Sequence, residues 1–422
     1  MHRIIAAVLA AATCATIAQA QTQSAALAAG GPFTLERALE AAGASSPNIE
    51  AADAGLRGAG EARTIAGLRP NPEVQVQVEN VGGTGQYRGT QSAETTVGMA
   101  LPIELGGKRS ARIAVADSQT GRARIERAIV VADLREQVTL AYIDAVAAEL
   151  RLEIARQRAD FANQSYRAAS ARVTAGAASP IEQQRADVER LNADVALEQA
   201  KREADLTRSS LSRLIGQPVT GAFDTSWFDR VGNYGPSPEV AIASTLDVAA
   251  ATADVGTASA LVRLARAQRM PDVTLTAGAR RLTASNDTAA IFGVSIPLPL
   301  FNTGRASVSL AEAQLQQSEA RQRAAVLDAE RAVARARAEL ANAEASAHAA
   351  GGPALSAATE AARIARIGYA QGKFGQLDLL EAERTLASTK TATVDAVVAY
   401  HKAEARLVRL LTPVPADAGG AE

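Results

Sequence analysis

The sequence predicts a mainly α-helical protein with a small β part, built from one structural unit that occurs twice. Alanine recurs along the whole chain while aromatic residues make up only 3% of it, and such composition suits long helices packed closely side by side. Two short regions instead alternate apolar and polar residues, which predicts β-strands. Matched residues in the two halves lie a nearly constant distance apart, which indicates a duplication.

The chain opens with a segment typical of an export signal. Arg3 precedes an apolar run over 4–17, and residues 18–20 have the small-x-small pattern of a cleavage site. We expect residues 1–20 to be removed as a signal peptide, because a membrane anchor would need an apolar run of about 20 residues. Cys14, the only cysteine, lies inside this leader. Its lipidation remains an alternative.

Charge and hydropathy argue against two classes of protein, nucleic-acid-binding proteins and proteins with a transmembrane helix. The formal net charge is −1, which gives no reason to expect a nucleic-acid partner. After the leader no apolar run is long enough for a transmembrane helix, so this chain would enter a membrane only as strands.

The first repeat, 21–216, is predicted to contain helices and a β-hairpin over 72–103. Helical spacing runs from Thr34 to about Leu68, where prolines end it. In the hairpin, one face of each strand is apolar. The apolar residues are Val74, Val76 and Val78, followed after a polar loop by Val97, Met99, Leu101 and Ile103.

A helix of about 65 residues is then predicted from Lys108 to Val173, a length of roughly 100 Å. Its apolar residues step by three and four, a seven-residue repeat. The residues of this repeat are Leu134, Val138, Ala141, Ala145, Ala148, Leu152 and Ala155.

A turn at Gly176 leads into a returning helix over 181–215.

The second repeat, 239–412, follows a central irregular connection over 217–238 and precedes a flexible tail over 413–422. It has its own hairpin over 271–298, in which Phe292, Val294, Ile296 and Leu298 are expected to form the returning strand. Gly351-Gly352-Pro353 predicts a kink in its long helix. The offsets between repeats are 199 residues for Pro72 and Pro271, 195 for Pro102 and Pro297, and 196 for Gly176 and Gly372.

Each half supplies one two-stranded hairpin, and four strands cannot close a barrel or cover their own edges. Three copies of the chain would supply twelve strands, an even number within the range of transmembrane barrels. The alternative is that both hairpins are ordinary sheet edges packed on helices.

Three motifs stand out beside the duplicated order of elements. They are Tyr369-x-x-Gly372 followed by Leu377-Asp378-Leu379-Leu380-Glu381-Ala382, Leu68-Arg69-Pro70-Asn71-Pro72-Glu73 with Val78-Glu79-Asn80, and Pro102-Ile103-Glu104-Leu105-Gly106-Gly107-Lys108-Arg109. The duplication and the first motif resemble the TolC-like outer-membrane factor family, and the other two resemble more narrowly its branch serving cobalt-zinc-cadmium efflux. The resemblance covers nearly all of the mature chain.

This resemblance implies a homotrimer that forms a 12-stranded outer-membrane β-barrel, continued by an α-helical tunnel across the periplasm. It also implies three kinds of partner: outer-membrane lipid, a periplasmic adaptor protein and an inner-membrane pump of the resistance-nodulation-division type. The protein would then be a passive export channel in the outer membrane, not an enzyme, with metal cations as the expected substrate. An outer-membrane factor for drugs or organic compounds, and a secreted coiled-coil structural or adaptor protein without a pore, remain alternatives.

The resemblance also implies which residues close the periplasmic mouth. By position in the motif these are Asp378 and Glu381, as rings of acids around the trimer axis, and Tyr369. The alternative for both acids is helix-start chemistry, because carboxylates are favoured beside the free amides of a first helical turn. In the first repeat the counterparts are Glu182 and Arg185, so a matching acid ring is not expected there.

The two helical turns are the expected contacts for the adaptor, because small residues expose the backbone to a partner helix. No cofactor or metal site is expected. After the leader only His348 and His401 remain, far apart and without a second ligand at metal-binding spacing, so both are predicted to be polar residues on helix surfaces. The residues expected to contact the adaptor are Gly176, Ala177, Ser179, Gly372, Lys373, Phe374 and Gly375.

Overall fold

The computed structural model describes residues 31–232 and 241–415. The predicted signal peptide, Cys14, the end of the central connection and most of the predicted tail lie outside these ranges. The elements are α1 (Leu35–Ser45), α2 (Pro47–Ala66), β1 (Glu73–Glu79), β2 (Glu94–Ile103), α3 (Lys108–Thr174), α4 (Pro180–Ile215), α5 (Leu246–Gln268), β3 (Val273–Leu282), β4 (Asp287–Ser295), α6 (Arg305–Ala349), a π-helical turn (Ala350–Ala354), α7 (Leu355–Ala370) and α8 (Gln376–Leu410).

The order of elements confirms the predicted duplication of a helix, hairpin, long helix, turn and helix. The predicted long first helix is α3, a single helix of 67 residues. The corresponding helix of the second half is interrupted where Gly351-Gly352-Pro353 predicts a kink, by a π-helical turn that contains Pro353. A proline lacks the N–H that an α-helix needs, so the backbone there adopts a wider turn.

Two elements differ from the sequence-based expectation. The first helix is broken at Ser46, which is extended with ψ 117°, because the residue before a proline avoids the α region. Strand β4 begins at Asp287 and ends at Ser295, so Ile296 and Leu298 lie beyond it. The neighbouring prolines 297 and 299 cannot donate ladder hydrogen bonds, which ends the strand early.

The chain divides into two compact units, and each draws on both halves of the sequence. The sheet unit comprises the described parts of Asn48–Val131, Glu239–Val333 and Leu410–Glu422. The tip unit comprises the described parts of Met1–Pro47, Ala132–Pro238 and Ala334–Arg409.

In the sheet unit, the two hairpins join into one antiparallel sheet in the order β1-β2-β3-β4. The pairing of β2 with β3, which brings Gly98 opposite Gly278, was not part of the prediction. No side chain fits at this crossing, since a Cβ on Gly278 would lie 2.6 Å from the carbonyl oxygen of Val97.

Helix α5 of the sheet unit departs from the expectation that no helix could span a membrane. By length and composition alone, α5 is long and apolar enough to cross a membrane, with a mean hydropathy of 1.2 over its most apolar window. A third of that window is buried, and its Asp254 binds Arg122 of α3. The helix is therefore partly a packing element of its own unit.

In the tip unit, long helices pack through alanines. Ala159, Ala162 and Ala193 form one buried cluster between α3 and α4, and Ala358, Ala362 and Leu386 form another between α7 and α8. Small side chains let helix axes approach closely. This explains how a chain poor in aromatic residues can bury its helices.

The aromatic residues of the tip unit concentrate around Tyr142. Its ring is fully buried and contacts Phe33, Phe223 and Trp227. Its hydroxyl donates to the carbonyl oxygen of Phe33 at 2.6 Å, and burial raises its pKa to about 12. The cluster fastens the irregular connection at 217–232 to the long helix.

Candidate functional site at the helical turns

The first helical turn of the tip unit, between α3 and α4, is a left-handed glycine cap. Gly176 has φ 71°, and the N–H of Ala177 donates to the carbonyl oxygen of Arg172 at 2.8 Å, the pattern that commonly ends helices. Ser179 then caps α4, because its hydroxyl accepts from the N–H of Ile181.

The second turn, between α7 and α8, repeats this geometry. Gly372 has φ 72° and the N–H of Lys373 donates to the carbonyl oxygen of Gly368 at 2.8 Å. The ring of Phe374 lies directly on Gly368, where an added Cβ would come within 2.1 Å of it. The duplication therefore extends to individual backbone hydrogen bonds.

Asp378 and Glu381 lie in the first turns of α8 and have different surroundings. The Asp378 carboxylate accepts from the N–H of Gly375 at 3.0 Å, the reciprocal half of a capping box. Glu381 is 67% exposed and its carboxylate lies 3.9 Å from a nitrogen of Arg384. Asp378 thus caps the start of α8, whereas the Glu381 carboxylate is mostly exposed to solvent.

Tyr369, at the end of α7, contacts the first long helix. Arg172 of α3 donates to its hydroxyl at 2.9 Å, and the same guanidinium lies 5.4 Å from the centre of the ring. Since α7 belongs to the second repeat and α3 to the first, this contact ties the two helical hairpins together close to both turns.

A buried carboxylate makes a second connection between the repeats. Glu189 of α4 is 6% exposed. Arg158 of α3 donates to its Oε1 at 2.8 Å, and Arg384 of α8 donates to its Oε2 at 2.6 Å. Burial alone would raise the pKa of the Glu189 carboxyl, but the hydrogen bonds from Arg384 and Arg158 outweigh it and lower the pKa below its ordinary value.

The sequence contains a signal for Glu189 that the sequence analysis missed. Along α4 it stands three residues after Ala186 and four before Ala193, both completely buried, so it occupies a core position of the seven-residue pattern. An acid at such a position requires a partner when buried. Nothing in the local sequence identifies Arg384 as that partner, because it comes from the other half of the chain.

Arg185 and Gln376 lie in the same region as the two turns. Arg185 of α4 lines a shallow groove that Glu381 and Arg384 of α8 also line. Gln376, the first residue of α8, is 7% exposed and neither its amide nitrogen nor its amide oxygen has a hydrogen-bond partner.

His348 and His401 differ in how far they are buried. His348 lies on the surface with a 61% exposed side chain, as predicted. His401 is buried at 5% exposure, so the prediction of a surface residue was wrong. Its Nε2 lies 2.8 Å from the carbonyl oxygen of Phe228 and its ring packs against Trp227. It follows Val397 and Val398 at core spacing, which places it in the aromatic cluster.

Among residues 31–232 and 241–415, no three or more histidine, cysteine, aspartate or glutamate side chains are grouped so that they could hold a metal ion. The contacts described at the turns are ion pairs and helix caps that connect helices of both repeats.

Comparison with known proteins agrees with this architecture. The model of the family described as outer membrane efflux protein matches residues 38–217 and 238–412. The chain is 33% identical over 395 residues to the cobalt-zinc-cadmium resistance protein CzcC of Cupriavidus metallidurans, covering 91% of each chain. It is 30% identical to the nickel and cobalt resistance protein CnrC of the same organism, covering 69% of this chain and 68% of the relative.

Among solved structures, the outer membrane protein VceC of Vibrio cholerae superposes with a TM-score of 0.74 at 22% identity. The match covers 90% of this chain and 96% of that one. At this identity the likeness shows the fold alone.

Proposed function

This chain belongs to the outer membrane efflux protein family, and from that premise we propose that it is the outer-membrane channel of a tripartite export system for heavy-metal cations. The observation that supports the channel most directly is the four-stranded sheet, which has an exposed apolar face and two unpaired edges.

The exposed face of the sheet consists of side chains that water would not favour. Val74 is 71% exposed, Phe292 82% and Val294 67%. The register places Val74, Met99, Ala277 and Phe292 in one row, so these side chains share one face of the sheet. A lipid environment would remove this surface from water, at about 25 cal/mol per Å².

The edges of the sheet require other strands. Within the described part of the chain, β1 pairs only with β2 and β4 only with β3. Unpaired backbone groups cannot remain in a bilayer. Three copies, each joining its β1 to a neighbour's β4, would close twelve strands into a barrel, and the polar face would line the lumen.

Heavy-metal cations are the proposed substrate because the relatives are named for resistance to cobalt, zinc, cadmium and nickel. The channel itself would act passively. An inner-membrane pump of the resistance-nodulation-division type and a periplasmic adaptor would select the metal and deliver it to the tunnel.

We assign the periplasmic gate to Asp378, Glu381 and Tyr369. Around a threefold axis, three copies of the two acids would place six carboxylates near the pore, favouring cations over anions. Tyr369 would hold the α7–α8 hairpin against α3 through Arg172. The two turns around Gly176 and Gly372 would receive the adaptor.

Deletion and complementation test the substrate. A strain lacking this protein is expected to lose tolerance to zinc, cobalt or cadmium, and the plasmid-borne gene should restore it. Unchanged metal tolerance with reduced tolerance to drugs or organic compounds would instead favour the alternative substrate class.

Cross-linking of the protein in isolated outer membranes tests the assembly. A trimer that resists extraction without detergent is expected. A soluble monomer would contradict the barrel and leave the alternative of a secreted coiled-coil protein.

A further inference from the structure

At the loop end of the sheet, one arginine binds two carboxylates. The guanidinium of Arg280 on β3 lies 2.9 Å from the Glu79 carboxylate of β1 and 2.9 Å from the Glu94 carboxylate of β2. Its Nε also donates to the hydroxyl of Thr96 at 3.0 Å. All three charged side chains are a quarter to two-fifths exposed, so the cluster faces solvent and retains one net negative charge.

The strand register places this cluster on the polar face of the sheet. Glu79 stands directly opposite Glu94, and Arg280 stands opposite Thr96, two register positions nearer the helices and on the same face. The register position between them belongs to the opposite face and carries Val78 and Arg281. In the proposed barrel the cluster therefore lies inside the lumen, at the end remote from the helices.

On the same face, the next row toward the helices carries no side chain at β2 or β3. It consists of Gln75, Gly98, Gly278 and Ile291, with the two glycines on the central strands. No side chain of the two central strands therefore lies directly on the helix side of the cluster, and in the proposed trimer three copies would form a charged ring just inside the outer exit.

We propose that Arg280 is a resident cation that prevents Glu79 and Glu94 from capturing the exported cation at the exit. This role rests on the proposed channel function. Two unpaired carboxylates facing each other are the kind of oxygen ligands that hold divalent cations, and conduction requires that an ion leave as readily as it enters. The guanidinium occupies the position between the acids, so a passing cation meets one net charge per subunit and not two.

Side-specific block of the channel in planar bilayers tests this role. Cadmium chloride is added to the side of the strand loops while the single-channel current of the full-length trimer is recorded. Arg280→Gln is expected to lower the cadmium concentration for half block by on the order of tenfold, because one additional negative charge lies within about 5 Å of the ion. Arg280→Lys, which retains the charge, should remain within about twofold of the wild type.

Arg281→Gln is the matched control. It removes the same charge from the neighbouring residue on the opposite face, where the Arg281 side chain donates to Asn286, and it should not change the block. Adding Glu79→Gln and Glu94→Gln to Arg280→Gln should abolish the additional block.

Any of the following results would overturn the proposal. Equal effects of Arg280→Gln and Arg281→Gln would show a general charge effect, and unchanged block with Arg280→Gln in a conducting channel would show that Arg280 shields nothing. If Arg280→Gln fails to assemble, Glu79→Gln with Glu94→Gln in the otherwise wild-type chain must reduce the cation preference measured by reversal potential in a potassium chloride gradient. A wild-type trimer without any conductance would overturn the channel and this role together.

Discussion

Arg384 of α8 donates to the buried carboxylate of Glu189 of α4 at 2.6 Å, and this bond joins the second repeat to the first within the tip unit. The same carboxylate also accepts from Arg158 of α3 at 2.8 Å, so one arginine from each repeat binds Glu189. If α8 moves when the mouth opens, this is a contact that must break.

We therefore expect Arg384→Met to loosen the start of α8. Loss of a hydrogen bond to a charged group costs about 1.5–3 kcal/mol, so amide hydrogens over 376–390 should exchange at least about tenfold faster in mass-spectrometric hydrogen exchange. Arg363→Met is the control, because Arg363 pairs with Glu360 on the exposed face of α7, where an ion pair contributes less than about 1 kcal/mol. Equal exchange in the two variants would show that the Glu189 contact is not a restraint.

The lowered pKa of Glu189 predicts how this restraint depends on pH. A carboxyl whose pKa is depressed in the folded state stabilises that state above its unfolded value, here 4.5, and the stabilisation disappears as the pH falls through the folded value. Wild type should therefore unfold at a higher temperature than Glu189→Gln at pH 7, and the difference should shrink below pH 4.5. Circular dichroism melting in detergent measures it. A difference that persists undiminished at pH 3 would contradict the assignment.

The two acids of the proposed gate should separate under conservative substitution. Asp378→Asn weakens the cap on Gly375, at about 1 kcal/mol, and should increase fraying of α8 in hydrogen exchange. Glu381→Gln removes an exposed charge without touching the cap, so it should weaken block by multivalent cations added from the periplasmic side while leaving exchange unchanged. Identical behaviour of both variants in the block assay, with no change in either, would return the pair to helix-start chemistry.

Much of the fold follows from short-range patterns. The alternation in Val74, Val76 and Val78 requires a strand, and the glycine at 176 requires a helix end, because each depends on residues within a few positions. The pairing of β2 with β3 could not be predicted in this way. It joins segments about 180 residues apart, and either hairpin alone presents the same alternation whether or not it has a neighbour.

The site was predictable only in part for the same reason. The motif around Asp378 and Glu381 is local, whereas the partner of Glu189 depends on how α8 packs against α4. The burial of His401 could be predicted only in part. Its spacing from Val397 and Val398 matched the core stripe, but its polarity favoured a surface position until the carbonyl oxygen of Phe228 supplied a partner.

Gln376 provides a last test of how the second turn is held. Its amide is buried at the first position of α8 without a hydrogen-bond partner, and each such unsatisfied group costs about 1–3 kcal/mol. Gln376→Met keeps the length of the side chain and removes the unpaired groups, so it should stabilise this turn and slow hydrogen exchange over 371–385 by about tenfold, equivalent to roughly 1.4 kcal/mol. Gln184→Met, at an exposed position of α4, is the control and should leave exchange unchanged. If the amide gains partners when the mouth opens, Gln376→Met should also lower the open probability in bilayers. Faster exchange in Gln376→Met would mean that the amide is already satisfied in the resting trimer, for example by a neighbouring subunit.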